Sequence, residues 1–85
     1  MKLSDLPNIG SVLESDLEEA GIKTIEDLIT LGTEKSFKMI KKLSNPDACF
    51  SKLLAIEGAI QGIRWHGIDK KRKDELKNFI NSLDD

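Results

Sequence analysis

The feature that most constrains the fold is a pair of turns near the N-terminus, spaced for one short helix between them. The first turn is Leu-Pro-Asn-Ile-Gly at residues 6–10, and the second is the Ala-Gly step at residues 20–21. A second capped segment, Thr-Ile-Glu-Asp-Leu at residues 24–28, follows closely. A turn, a short helix, a glycine stop and a further helix form the pattern of a helix-hairpin-helix module. The sequence therefore predicts a helical hairpin at the start of the chain.

The length of the chain, 85 residues, limits it to one small core, so we expect residues 1–85 to form a single domain. Its 39% hydrophobic and 33% charged residues are typical of a globular protein. Cys49 is the only cysteine, which excludes an internal disulfide and a Cys-x-x-Cys metal site and fits a reducing compartment. No signal-peptide pattern and no apolar run of roughly 18 residues is present. We therefore expect a cytoplasmic protein without a membrane contact.

Apolar residues recur at spacings of three and four, so the sequence predicts an all-α fold of five short helices. The first helix is predicted to begin at a Ser11-x-x-Glu14 capping box and to end at Gly21. Thr24 is predicted to cap the second helix, and Thr33 the third. The third helix is predicted to turn four apolar side chains inward, namely Phe37, Met39, Ile40 and Leu43.

Asn45 followed by Pro46 predicts the start of a fourth helix, which runs to about Ile63. Its apolar positions cover more than one stripe, so it is expected to be the central buried helix of the bundle. Gly58 and Gly62 belong to a ridge of small residues on this helix, which predicts the close approach of a neighbouring backbone. The last helix is predicted to be capped by Asp69 and to bury one face, formed by Leu76, Phe79, Ile80 and Leu83.

Acidic and basic residues are distributed unevenly along the chain, although the net charge is only −2. Residues 1–34 contain six more acidic than basic residues, whereas residues 35–85 contain four more basic than acidic residues. Such a split predicts a polarised surface that steers a partner or lets copies associate head to tail, which leaves a homodimer open. The alternative is an ordinary solvated shell of charged side chains.

Three segments together resemble one protein family. They are residues 6–10, residues 20–28 and Leu-Ala-Ile-Glu-Gly-Ala-Ile-Gln-Gly-Ile-Arg-Trp at residues 54–65. On these segments nearly the whole chain resembles the C-terminal domain of the TfoX/Sxy family of bacterial competence regulators. The resemblance implies an all-helical, helix-hairpin-helix-like (SAM-like) fold and a link to the regulation of natural competence genes. The sequence lacks the N-terminal domain of two-domain members, so we expect a stand-alone module.

The hairpin is the first candidate site for a phosphate or a partner, and its residues are Pro7, Asn8, Ile9, Gly10, Ser11 and Val12. Backbone N–H groups at the start of a helix are able to bind a phosphate. Between Lys2 and Lys23, however, the chain has five acidic residues and no basic residue. Carboxylates at this distance repel a phosphate and offset the gain from its hydrogen bonds. A purely structural hairpin is therefore the preferred interpretation.

A basic patch is the second candidate site, and its residues are Arg64, Lys70, Lys71, Arg72 and Lys73. Positive charge at a helix N-terminus opposes the helix dipole but concentrates attraction for an anion. The patch could bind nucleic-acid phosphate or an acidic protein surface. Alternatively, its lysines are neutralised in solvent by the acids four residues further on, at positions 74 and 75.

No catalytic, metal or cofactor site is predicted. His66 is the only histidine and has no metal-ligand spacing around it. Cys49 falls on the apolar stripe of the fourth helix and is expected to be an inert core thiol. Glu57 is expected to be a buried acid that pairs with Arg64 or with a neighbouring backbone. Trp65 is either a lid on the core or an interface anchor.

The sequence thus predicts a non-catalytic interaction module that acts through a protein partner in bacterial gene regulation. The alternative is weak, sequence-independent DNA binding through the hairpin or the basic patch.

Overall fold

A computed structural model of the protein describes residues 1–83 and shows five α-helices joined by short turns. The helices are α1 (Ser11–Glu19), α2 (Ile25–Leu31), α3 (Thr33–Leu43), α4 (Phe50–Gln61) and α5 (Lys70–Leu83). Two short 3-10 turns, Leu3–Asp5 and Trp65–Gly67, precede α1 and α5. No strand occurs within residues 1–83, so the predicted all-α fold with five helices is confirmed. In the same residues, no helix has the length and apolar character needed to cross a bilayer.

The central position predicted for the fourth helix is confirmed. Helix α4 packs against α3, α5 and the Trp65–Gly67 turn, while α3 also contacts α1 and α2. More residues are buried on α4 than on any other helix that the structure describes, namely Leu53, Leu54, Ile56, Glu57, Gly58 and Ala59. The bundle is therefore organised around one apolar helix that faces neighbours on several sides.

The start of α1 differs from the predicted capping box. Gly10, in an extended conformation (φ −94°, ψ −170°), is the N-cap residue, and Ser11 is already the first helical residue. The carboxylate of Glu14 accepts a hydrogen bond from the backbone N–H of Ser4 at 2.9 Å. Glu14 therefore fixes the N-terminal 3-10 turn to α1, and the Ser11-x-x-Glu14 box is wrong because its acid binds a more distant partner.

Caps at the next two helices follow the prediction in one case only. The side chain of Thr24 accepts a hydrogen bond from the N–H of Asp27 at 3.0 Å, so the predicted cap of α2 is confirmed. Gly32, with φ 82°, ends α2 as predicted but also serves as the N-cap of α3. Thr33 is the first residue of α3 and is buried. Its hydroxyl donates a hydrogen bond to the carboxylate of Glu57 at 2.7 Å. The predicted capping role of Thr33 is wrong because its hydroxyl binds Glu57 of α4.

Helix α4 begins later than predicted. Asn45 accepts a hydrogen bond from the N–H of Asp47 at 3.1 Å and donates to the Asp16 carboxylate at 3.2 Å, which holds the preceding turn outside the helix. Cys49 is therefore the N-cap of α4 and is exposed, so its predicted place in the core is wrong. Leu43 is also exposed, contrary to prediction, because α3 ends there and the chain turns away.

The predicted start and buried face of the last helix are confirmed. Asp69 accepts a hydrogen bond from the N–H of Arg72 at 2.8 Å, as a helix cap does. Leu76 is fully buried, and the other three predicted residues are partly buried against the core, namely Phe79, Ile80 and Leu83.

Gly58 lies where the chain after α4 folds back against the helix. A Cβ atom added at Gly58 would lie 2.5 Å from Nδ2 of Asn8, 2.8 Å from the carbonyl oxygen of Ile63 and 3.2 Å from Cα of Trp65. The predicted close backbone approach is therefore confirmed at this glycine. Glycine is favoured at position 62 for a different reason: this residue ends α4 in a left-handed conformation with φ 78°.

We expect Gly58→Ala to lower the free energy of unfolding by about 1–3 kcal/mol, because its methyl group would collide with a backbone carbonyl. Urea unfolding followed by circular dichroism measures this change. Gly67→Ala is the matched control, since the added Cβ would meet only Ile63 Cδ1 at 3.7 Å, an ordinary contact. A stability equal to or above wild type for Gly58→Ala, as helix propensity alone would give, would contradict the packing argument.

Candidate interaction surface

The side chain of Asn8 joins the hairpin to the segment after α4. Its amide nitrogen donates to the carbonyl oxygens of Ile63 at 2.9 Å and Ala55 at 3.4 Å. Its amide oxygen accepts the backbone N–H of Trp65 at 3.1 Å. We call this arrangement the Asn8–Trp65 junction. It brings together the turn at residues 6–10 and the segment at residues 54–65, on which the family resemblance was based.

The backbone at Asn8 explains why this residue type suits the junction. Asn8 has φ 69°, and it is the only residue other than glycine within residues 1–83 with a positive φ. Asparagine tolerates this left-handed conformation better than most side chains. The turn therefore directs a bifunctional amide towards α4, and the missing side chain of Gly58 leaves room for it.

The structure distributes the predicted hairpin residues over different environments. Ile9 is buried in the core, and its N–H donates to the Leu6 carbonyl oxygen at 3.4 Å, so this amide already has a partner. Gly10 and Ser11 are exposed at the start of α1, and so is the side chain of Val12. The remaining predicted residues, Pro7 and Asn8, are half-buried.

Trp65 presents an aromatic surface to solvent beside the hairpin. Its side chain is 48% exposed, and its ring contacts the exposed His66 edge to face, with ring centroids 5.4 Å apart. Ile68, which is almost fully buried, fills the core under this turn instead. Because Ile68 fills the core under the turn, the half-exposed ring of Trp65 is accessible from solvent.

Arg72 is the centre of an internal ion-pair cluster. Its guanidinium makes a bidentate pair with Glu34 (2.8 and 3.0 Å), and its Nε donates to Glu57 at 3.0 Å. Nη1 also donates to Glu75 at 3.2 Å. The hydrogen bonds to Glu34 outweigh the effect of burial and raise the pKa of Arg72. Arg72 faces these acids rather than solvent, so its placement in an accessible basic patch is not supported by its geometry.

Glu57 is buried, as predicted, but its partners are different from those predicted. It binds Arg72, accepts the hydroxyl hydrogen bond of Thr33 and receives the side-chain amide of Gln61. Burial raises the pKa of Glu57, but these hydrogen bonds more than compensate and hold the pKa below its ordinary value of 4.5. The predicted pairing of Glu57 with Arg64 is wrong, because Arg64 is exposed in the turn before Trp65.

Without Arg72, the other residues of the predicted basic patch offer only a weak attraction for an anion. Lys70 forms an exposed ion pair with Asp74 at 3.0 Å, as the four-residue spacing predicted. Lys71 is exposed, and Lys73 is half-buried. Exposed pairs of this kind contribute little, so the patch retains only a diffuse positive charge.

Two surface grooves of opposite charge were not identified as sites from the sequence. The acidic groove has a volume of about 310 Å³ and is lined by Gly21, Glu26, Asp27, Thr30 and Leu31. The basic groove has a volume of about 220 Å³ and is lined by Lys38, Lys41, Lys42 and Leu83. The change in charge after residue 34 was the signal for this pair of grooves, but the sequence did not show which charged residues line a concave surface.

Two residues remain that could carry reaction chemistry. Cys49 is exposed, and its hydrogen bond with Ser51, at 3.0 Å, together with nearby backbone N–H groups, lowers the pKa of its thiol. His66 contacts Trp65. Within residues 1–83, no group of three or more histidine, cysteine or acidic residues is arranged to hold a metal ion. Neither residue has a neighbouring group that completes a catalytic pair in the described contacts.

Comparison with known proteins gives consistent results. The family model of the TfoX C-terminal domain matches residues 1–80. Protein Sxy of Escherichia coli (strain K12) is 34% identical over 82 residues, which cover 96% of this chain and 39% of Sxy. DNA transformation protein TfoX1 of Aliivibrio fischeri is 27% identical over 75 residues, which cover 88% of this chain and 36% of TfoX1. The chain thus spans less than half the length of these two relatives.

Solved structures from Listeria monocytogenes have the same fold. The crystal structure of an uncharacterized protein, in a triclinic form, matches with a TM-score of 0.95 and 51% identity, covering 99% of this chain and 94% of that one. A protein of unknown function, in a tetragonal form, matches with a TM-score of 0.91 and 53% identity, covering 95% of this chain and 98% of that one. The fold is therefore shared with these two proteins.

We expect Arg72→Met to lower the free energy of unfolding by about 2–3 kcal/mol, because it leaves the buried carboxylate of Glu57 without its charged partner. Urea unfolding at neutral pH measures the change. Lys71→Met is the matched control, since it removes a positive charge from the neighbouring, exposed position. Equal stabilities of the two variants would contradict a structural role for the Arg72 cluster.

The same cluster predicts a pH dependence. Hydrogen bonds from Arg72 hold the pKa of Glu34 below 4.5, and the pKa of Glu57 is also below this value. Lowered carboxyl pKa values contribute stability that is present above about pH 4.5 and lost as the pH falls through the folded-state values. In Arg72→Met the lowering by Arg72 is lost, so the pKa of Glu57 is expected to rise relative to wild type.

The difference in free energy of unfolding between wild type and Arg72→Met should therefore become smaller as the pH falls from about 7 to about 3. Urea unfolding across this range measures it, with Lys71→Met as the variant that should follow wild type. A difference that stays constant with pH would show that the loss in Arg72→Met comes from packing rather than from the ion pairs.

Proposed function

This chain belongs to the TfoX C-terminal domain family, and we propose that it is a non-catalytic interaction module that binds a protein partner in bacterial gene regulation. The proposed contact surface consists of the exposed faces of Trp65 and His66 together with Val12 of the hairpin. The observation that carries the proposal is the fixed position of a half-exposed tryptophan: Trp65 is 48% exposed, yet its backbone N–H is held by Asn8.

A positioned aromatic side chain is well suited to recognise a protein. Tryptophan is enriched among residues that dominate binding energy at protein interfaces. A contact that is already ordered before binding loses less conformational entropy when the complex forms. The Asn8–Trp65 junction supplies this order, because it holds the turn to α4 by three hydrogen bonds. Val12, which is 65% exposed, adds an apolar side chain on the hairpin itself.

The charges around the hairpin support a protein ligand over a nucleic acid. Glu14 lies in the first turn of α1, beside the amides that a phosphate would use. Arg72, one of the two arginines of the predicted basic patch, is engaged by three carboxylates. Both features weaken the attraction for a polyanion.

The regulatory context is supported by the relatives. TfoX1 is named for DNA transformation, and the family includes the competence regulators Sxy and TfoX. We extend to this chain a role in regulation of that kind, carried out by contact with another protein rather than by catalysis.

Weak, sequence-independent DNA binding is the second candidate function. The observations that favour it are the exposed start of α1 at Gly10 and Ser11, and the three lysines of the basic groove. These elements would bind phosphates through backbone N–H groups and positive charge, without reading bases.

We expect a photo-crosslinking amino acid at position 66 to form a discrete adduct with a protein in bacterial cells, because His66 contacts Trp65 on the proposed surface. Trp65→Ala in the same chain should remove the adduct. The same amino acid at Asn78, an exposed position on α5, is the matched control and should not give this adduct. Immunoblotting of the tagged chain after illumination detects the products. Identical products at positions 66 and 78, none at position 66, or an adduct unchanged by Trp65→Ala would contradict the proposed surface.

Titration of labelled duplex and single-stranded DNA between about 50 mM and 200 mM salt separates the two candidate functions. The protein-partner proposal expects binding that is negligible at the higher salt concentration. Micromolar affinity at that concentration, lost on reversal of the charges of Lys38 and Lys42, would instead support the DNA-binding function.

A further inference from the structure

The two grooves of opposite charge lie on neighbouring helices and share no lining residue. The acids of the acidic groove, Glu26 and Asp27, belong to the first turn of α2. The lysines of the basic groove all belong to the middle and end of α3. One small domain therefore presents two separate concave surfaces whose charges are complementary.

Each groove has an exposed apolar residue on the same helix. Ile29 of α2 is 55% exposed, and Leu43 of α3 is 57% exposed. The two residues do not line the grooves themselves, but each belongs to the helix that supplies the charged residues of one groove. Apolar contacts bordered by complementary charges are the usual composition of a protein interface.

The charged groups of the grooves lack ionic partners within residues 1–83. None of the five ion pairs in this part of the chain includes an acid of the acidic groove or a lysine of the basic groove. Lys38 and Lys41 instead lie over the rings of Phe79 and Phe37, at 5.7 and 6.0 Å from the ring centroids. Lys41 is half-buried and also donates to the Ala48 carbonyl oxygen at 3.4 Å, whereas Lys38 and Lys42 are exposed and supply the accessible charge of the groove.

We propose that copies of this chain associate by placing the basic groove of one copy on the acidic groove of the next. Charge complementarity selects this arrangement, since a symmetric contact of the basic groove with itself would oppose lysines to lysines. Because the two grooves are different surfaces, the contact is heterologous and joins copies head to tail, into a short chain or a closed ring.

A standard protein interface would cover a large share of the surface of so small a protein. The accessible surface of the chain is 5089 Å², so a standard interface of about 800 Å² per partner would cover about a sixth of it. The proposed contact depends on the exposed charges of the two grooves. The association is therefore weak and sensitive to salt. It does not involve Trp65 and is independent of the proposed binding of another protein.

Sedimentation velocity of the full chain over a range of concentrations, up to millimolar, tests the proposal in low and high salt. Wild type should sediment as species larger than a monomer at low salt and return to monomer at high salt. Lys38→Glu with Lys42→Glu, and separately Glu26→Lys with Asp27→Lys, should each weaken association at least about tenfold. An equimolar mixture of the two double variants should restore it, because each retains the groove that the other needs.

Lys23→Glu with Lys71→Glu is the matched control, because it reverses two exposed charges outside both grooves and should associate as wild type does. Circular dichroism confirms folding, and the single variants Lys42→Glu and Glu26→Lys replace any double variant that does not fold. Wild type that stays monomeric at all concentrations in low salt overturns the proposal. Association that survives either groove reversal, or that mixing does not restore, also overturns it.

Discussion

The structure depends on one buried carboxylate in its most apolar helix. Glu57 cannot be removed from water without partners, because an unpaired buried charge costs several kcal/mol. The partners come from three helices: Thr33 from α3, Gln61 from α4 itself and Arg72 from α5. One side chain therefore links α3 and α5 to α4, in addition to the apolar packing between these helices.

This arrangement has a consequence for the surface of the protein. Arg72, which the sequence places in a run of four basic residues, is directed inward towards Glu34 and Glu57. Positive charge is instead presented by the lysines of α3, at the basic groove. A residue that stabilises the bundle is thus unavailable for a ligand. The surface beside the hairpin combines an acid, Glu14, with the exposed side chains of Arg64 and Trp65.

Local patterns in the sequence predicted the features that depend on local interactions. The number of helices, the Thr24 and Asp69 caps and the small-residue requirement at Gly58 are of this kind. The predictions failed where a polar side chain has a distant partner: Thr33 binds Glu57, 24 residues away, and Asn45 binds Asp16, 29 residues away. A capping signal indicates only that a side chain can bond to a nearby backbone, and it cannot show that a buried charge elsewhere competes for it.

The hairpin shows how the same turn can serve a different purpose. In a helix-hairpin-helix module, such a turn offers backbone N–H groups to a phosphate. Here the turn holds Asn8 in a left-handed conformation, and its side chain binds both the end of α4 and the N–H of Trp65. Gly58 is needed because any larger residue would occupy the space of that amide. The two segments typical of the family are therefore joined by one side chain, which holds the backbone of the turn that carries the exposed Trp65.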